Sequence, residues 1–343
     1  MKLAPLRTVA VPVLGLALVL AACSSHDAAK KTTHAGSSSS PTATTSSPPP
    51  PPQPSRLSGR MGKPDGPVYA VKVDNTRNAH PQQGLTKADV VYVEQVEGGA
   101  TRLAAIYSSD YPQTVGPVRS ARITDIDLLR QYGNPVGLFY SGSQNKLADN
   151  LRRADLKLVS FDQDHTGYVR SPSRHQPYDV IGTFTTLRKR AGHVAKPPEM
   201  GYTFSDTAPA GGKPTKQVTV TYPFSRVDAT WAPAKKVWQL SMDGSPDMAA
   251  EGGRLGATTF VVQYVTVKPS VYHDINGANT PQTLTVGHGT ALIFRNGQEY
   301  VGAWSRAKAS DVTSYTIGGQ PASFAPGQIW VALFDRTRHA VTR

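Results

Sequence analysis

Between residues 74 and 122 the sequence gathers carboxylates, arginines and small polar side chains: Asp74, Asn75, Glu94, Glu97, Arg102, Arg119, Ser120 and Arg122. A guanidinium fork binds carboxylate or phosphate through two parallel N–H···O bonds, so Arg102, Arg119 and Arg122 are candidates to hold an acidic group. The run Gly116-Pro117-Val118-Arg119-Ser120-Ala121-Arg122 turns the chain and then enters a helix. That places Arg119 and Arg122 beside free backbone N–H groups at the positive helix end, a favourable position for an anion. The same residues also read as a structural set in which the arginines pair with Asp74, Glu94 or Glu97 and fix the loop. A third reading makes Asp74, Glu94 or Glu97 the general acid/base of a hydrolase or transferase acting on cell-envelope glycan or peptide, with Arg119 and Arg122 stabilising developing negative charge.

A second stretch, residues 168–178, is polar and contains Arg174 and His175. If it folds back over the sheet end, both join the same site, and His175 can donate or accept a proton near neutral pH. Other patterns carry less. Ser143-Gln144-Asn145-Lys146 has the Ser-x-x-Lys spacing of penicillin-binding proteins, yet Ser305-Arg306-Ala307-Lys308 has it equally and no Lys-Thr-Gly follows. Asp162-Gln163-Asp164-His165 lacks the oxygen ligands of a calcium loop, and no histidine pair has zinc spacing on a helix. There is no phosphate-binding loop and no dinucleotide fingerprint, so no cofactor and no metal are expected.

The elements that must position these residues read as two kinds. Residues 68–73, 89–96 and 100–107 are strands rich in β-branched residues, the last two joined across Glu97-Gly98-Gly99. Ile123, Ile126 and Leu129 have helical spacing. A strand at 136–140, a helix at 143–153, a strand at 156–161 and a helix at 179–190 follow. This half is therefore α/β, with a mixed sheet and helices. Beyond it, 216–222, 235–242, 258–267, 283–286, 290–295, 298–304 and 328–334 are strand-like, and Asn296-Gly297 marks a hairpin. The expected organisation is an α/β domain at 57–205 followed by a mostly β domain at 206–343.

Ahead of these lies an export signal. Lys2 and Arg7 precede an apolar stretch of residues 9–20, short for a spanning helix, and Leu20-Ala21-Ala22-Cys23 resembles the lipobox of bacterial lipoproteins. Cys23 is the single cysteine of the chain, which excludes a disulfide framework and marks it as the lipidation residue. Residues 24–56, rich in Ser, Thr and Pro, have too little apolar content to offset ordering entropy and form a disordered tether. The chain is thus expected on the extracytoplasmic face of a cell membrane, held by lipid. Its formal charge is +13, of which +9 falls beyond residue 56. Outside a membrane that charge favours anionic wall polymers, lipid headgroups or an envelope protein as partners. No basic run or aromatic platform points to nucleic acid, and nothing fixes an oligomeric state.

Several stretches resemble one family, the YerB-like bacterial lipoproteins. They are residues 71–75, 83–92, 96–102 and the Gly-Pro-Val-Arg-Ser-Ala-Arg run at 116–122, then 260–263, 286–289, Asn296-Gly297 with Trp304, and 326–330. The resemblance covers nearly all of the chain past Leu57. It implies a mixed α/β first domain and a smaller β-rich second one, both of unknown function, and it brings no established reaction. In the loop, the family pattern Pro-His-Asn-x-Tyr is met only at His175 and Tyr178, within Arg174-His175-Gln176-Pro177-Tyr178.

Overall fold

The computed structural model describes residues 51–343. The expected signal peptide, Cys23 and most of the tether lie outside the described residues. Ser55 and Arg56, assigned to the end of the tether, belong to the fold instead. Ser55 is buried with its hydroxyl on Asp65 at 2.8 Å, and Arg56 donates to the Pro197 carbonyl at 2.8 Å.

Strands β1 (Tyr69–Asp74), β2 (Val90–Gln95) and β3 (Thr101–Tyr107) are buried along almost their whole length. Apolar residues on both faces of a strand require a layer on each side of the sheet, and both layers are present. Gly98 and Gly99 close the β2–β3 hairpin with φ of 66° and 77°, a left-handed geometry that a side chain resists. After the Arg-rich run come α1 (Ile123–Leu129), β4 (Val136–Tyr140), α2 (Asn145–Arg152), β5 (Leu156–Ser160) and α3 (Phe184–Ala191). The expected helix over 179–190 is half wrong. Residues Val180–Thr183 form a strand paired with Tyr168–Arg170, and the Val180 carbonyl accepts Val118 N–H at 2.7 Å, so only Phe184 onward is helical.

The C-terminal half supplies β6 (Gln217–Thr221), β7 (Arg226–Ala232), β8 (Val237–Met242), β9 (Thr259–His273), β10 (Asn279–Leu284), β11 (Gly287–Arg295), β12 (Gln298–Arg306), β13 (Ser314–Ile317) and β14 (Ile329–Asp335). β7 and β13 escape sequence reading because short or polar residues dilute their alternation. β9 runs on to His273 and forms a hairpin with β10.

The main sheet has thirteen strands, its principal path running from a short edge strand, Gln320–Pro321, through β13-β12-β11-β9-β14-β2-β3-β1-β4-β5. β14 lies parallel to both β9 and β2, and β4 lies parallel to β1 and β5, so the sheet is mixed. Residues 57–205 and 206–343 share this one sheet. On one face Leu128 and Leu129 of α1 and Leu147 and Leu151 of α2 pack on Ala70, Tyr92 and Ala104. On the other, Phe184 and Leu187 of α3, together with Val218, Val220, Trp238 and Leu240 of a separate six-stranded sheet that contains β6, β7 and β8, cover Val71, Val93 and Leu103. The fold is α/β in its first part and mostly strand in its second.

Candidate functional site

Strand alternation puts Asp74, Arg102 and Glu94 in one row across β1, β3 and β2: Arg102 is the cross-strand partner of both carboxylates. The row sits on the α1 side of the sheet. One end of it is sealed and the other opens into a cleft of about 890 Å³ lined by Asp74, Glu97, Arg102, Arg119, Ser120 and Arg122. Gln144 and Lys146 at the start of α2, and Tyr272 to Asn276 at the tip of the β9–β10 hairpin, form its far wall. Ile275 at that tip is 99 % exposed.

The charges are partly paired. Arg119 Nε donates to Asp74 Oδ2 at 2.7 Å, while Asp74 Oδ1 accepts Thr76 N–H at 2.7 Å and its hydroxyl at 2.6 Å. Arg122 is ion-paired with Glu97: Nη2 donates to Oε2 at 2.7 Å, and Nε lies 2.7 Å from Oε1 without completing a second hydrogen bond. The Thr280 hydroxyl of β10 donates to the same carboxylate. Burial alone would raise the Glu97 carboxyl, but the Arg122 guanidinium and the Thr280 hydroxyl outweigh it and hold it below the ordinary value. Arg102 has no such partner. Its Nη1 stands 4.0 Å from Glu97 Oε2 and makes no hydrogen bond, although the side chain is almost wholly buried. Burial, and then the charges of Arg122 and Arg119, pull its guanidinium down to about 9, which still leaves it a cation at neutral pH.

Several assignments change. Glu94 does not face the cleft. It lies beneath, with Lys72 Nζ at 2.9 Å from Oε2, and the same ammonium is 2.8 Å from Asp125 of α1. Burial first, then the charge of Asp125, raises Glu94 to about 7 against the pull of Lys72. Asn75 is buried, donating to the Thr101 hydroxyl at 2.8 Å, and is spent on structure. The start of α1 is not a free anion cradle: Asp125 Oδ2 accepts Arg122 N–H at 2.6 Å, and Arg119 N–H is used by the Lys72 carbonyl at 2.9 Å. Arg174 points elsewhere, donating to the Ala79 carbonyl at 2.9 Å and to the Pro81 carbonyl, and His175 is exposed. The loop does fold back, but through Pro177 and Tyr178. Arg119 Nη1 donates to Pro177 O at 3.3 Å, and its guanidinium lies 5.9 Å from the Tyr178 ring centre.

Sequence reading missed Lys72, Lys146, Thr280 and the hairpin tip. Lys72 had a signal, since in a strand it shares a face with Ala70 and Asp74. The hairpin had none, because nothing local links residues 271–280 to Glu97. No cluster of His, Cys, Asp or Glu suited to a metal occurs among the described residues. No helix among them is long and apolar enough to cross a membrane.

Two family profiles match the chain. The "Protein of unknown function (DUF3048) N-terminal domain" matches residues 57–196 and the "Protein of unknown function (DUF3048) C-terminal domain" matches residues 218–331. The chain is 26 % identical over 273 residues to YerB of Bacillus subtilis (strain 168), whose name describes it as a lipoprotein; the match covers 77 % of this chain and 80 % of that one. A crystal structure of YerB from Bacillus subtilis superposes with a TM-score of 0.72 at 22 % identity, covering 84 % of this chain and 99 % of that one, and so shares the fold.

Proposed function

Because the chain belongs to the family of these two DUF3048 domains, we propose that it is an extracytoplasmic lipoprotein, anchored through Cys23, that holds an anionic group of an envelope polymer or envelope protein in the arginine cleft. The anchoring rests on the Leu-Ala-Ala-Cys signal and on the likeness to a relative named as a lipoprotein. The ligand reading rests on one observation above the others. Arg102 is a buried cation whose Nη1 has no hydrogen-bond partner, at the bottom of an open cleft where three guanidiniums and Lys146 meet Asp74, Glu97 and Asp274. A buried donor left unpaired is costly, and a carboxylate or phosphate entering the cleft supplies the acceptor.

The acid/base alternative is less well supported. Glu97 is held in its charged form by Arg122, and Asp74 is saturated by Arg119 and Thr76. The carboxyl with a raised value, Glu94, is covered and faces Lys72. The test is retention of the full chain on purified wall material. Arg102→Gln and Arg119→Gln should each weaken it roughly tenfold, the value of one charge-assisted pair, with melting temperatures close to that of the parent. Unchanged retention in both variants would remove the cleft from the account.

A further inference from the structure

A second cleft, of about 710 Å³, opens in the C-terminal half where β9 and the start of β11 meet the segment after β14. Arg336, Arg338, His288 and His339 border it, and no acidic side chain lines it. None of the four takes part in an ion pair among the described residues. The nearest acid along the chain, Asp335, uses its Oδ1 within its own turn, where it accepts Thr337 N–H at 3.0 Å and the Thr337 hydroxyl at 2.9 Å. The backbone that presents the arginines is fixed: Arg336 N–H donates to Val265 O and Arg338 N–H to Asp335 O, each at 2.9 Å. Two guanidiniums thus border one concave surface with no acidic side chain in its lining and no ion pair of their own.

The remainder of the lining is aromatic and aliphatic, with Tyr264, Leu284, Leu292 and Trp304. Both rings are locked. The Trp304 indole N–H donates to Tyr264 O at 2.8 Å, and the Tyr264 hydroxyl accepts Ala340 N–H at 3.1 Å. Gly289 leaves room for the indole bond, since a Cβ there would come within 2.8 Å of both Trp304 Nε1 and Tyr264 O. Cationic forks beside a flat apolar surface suit a ligand with a phosphate at one end and a ring or carbon chain at the other. Concavity and volume suit a small molecule or one unit of a polymer better than a flat bilayer.

We propose that this second cleft binds a phosphate ester of a sugar or polyol, with the phosphate on Arg336 and Arg338 and the uncharged part on Tyr264 and Leu292. Such a group can come from a free sugar phosphate or from a repeating polyol phosphate, and calorimetric titration of the full chain with glucose 1-phosphate and with a glycerol phosphate oligomer separates the sources. Saturable binding of at least one is expected, with none for glucose. Arg336→Ser/Arg338→Ser should weaken it roughly tenfold or more, and Arg336→Lys/Arg338→Lys, which keeps charge but loses the fork, should fall between. Arg119→Gln, in the other cleft, should leave this binding intact. The inference is overturned if neither ester binds, if the serine pair binds as the parent does, if only Arg119→Gln weakens binding, or if the chain binds only phosphatidylglycerol vesicles. Arg336 is exposed and neither arginine side chain is paired, so the lysine pair keeps the comparison readable should the serine pair melt early.

Discussion

Lys72 enters a strand that is otherwise largely apolar, and its ammonium reaches Glu94 and Asp125 with no exposed surface of its own. Burial would lower its affinity for a proton, but Asp125 and then Glu94 more than offset this and hold it charged. Lys72→Met would leave two carboxylates facing each other without a cation. We expect a loss of about 3–5 kcal/mol in urea unfolding, part of it recovered when Glu94→Gln is added. The two glutamates give opposite pH trends. Glu94 is raised to about 7 from 4.5, so the native state binds the extra proton. Its contribution is complete below about 4.5 and fades as pH rises through about 7. Glu97 is lowered, so its contribution is present above 4.5 and is lost as pH falls through its native value. Urea midpoints measured across that range should lose the neutral-side decline in Glu94→Gln and the acid-side decline in Glu97→Gln. Residue types and chain order were enough to nominate Asp74, Glu97, Arg102, Arg119 and Arg122. They could not separate Glu94 from the cleft, because whether a strand carboxylate meets solvent or a lysine depends on the layer above it.

At the scale of elements, β14 joins the two halves of the chain. It is buried from Ile329 to Phe334 and bonded on one side to β9 and on the other to β2. Val331→Pro removes a ladder hydrogen bond and introduces a ring into an interior strand, and should cost about 3 kcal/mol or more, seen as a lower urea midpoint. Elements with strong local periodicity were legible: the strands near 69–74 and 136–140 and the helix with Leu147 and Leu151 four residues apart stand where spacing put them. The segment 179–190 was not, because Phe184 and Leu187 give it a helical spacing while Val180 and Ile181 are held extended by pairing with Tyr168–Arg170. Arg226–Ala232 was invisible for the converse reason: its buried Val227 and Ala229 are small, and its neighbours β6 and β8 define it as a strand.

At the scale of the whole molecule, a sheet running through both halves makes their folding mutual. Expressed alone, residues 57–205 would leave β2 with an open edge, a ready template for aggregation. Each half by itself should fail to give a cooperative transition, and the joined chain should melt in one; two separate calorimetric peaks would instead support independent domains. The proposed anchoring also belongs at this scale: Cys23→Ala should release the protein from the membrane fraction, and continued sedimentation with membranes would count against the lipid anchor. The sequence by itself determined most of the strands and the stretch that carries the charges, because apolar period, residue type and chain order are local properties. Only the tertiary structure decided which charge meets which. The row of Asp74, Arg102 and Glu94 follows from strand register, Thr280 reaches Glu97 across 183 positions of chain, and the burial that sets Arg102 and Glu94 apart arises when the packed layers displace water.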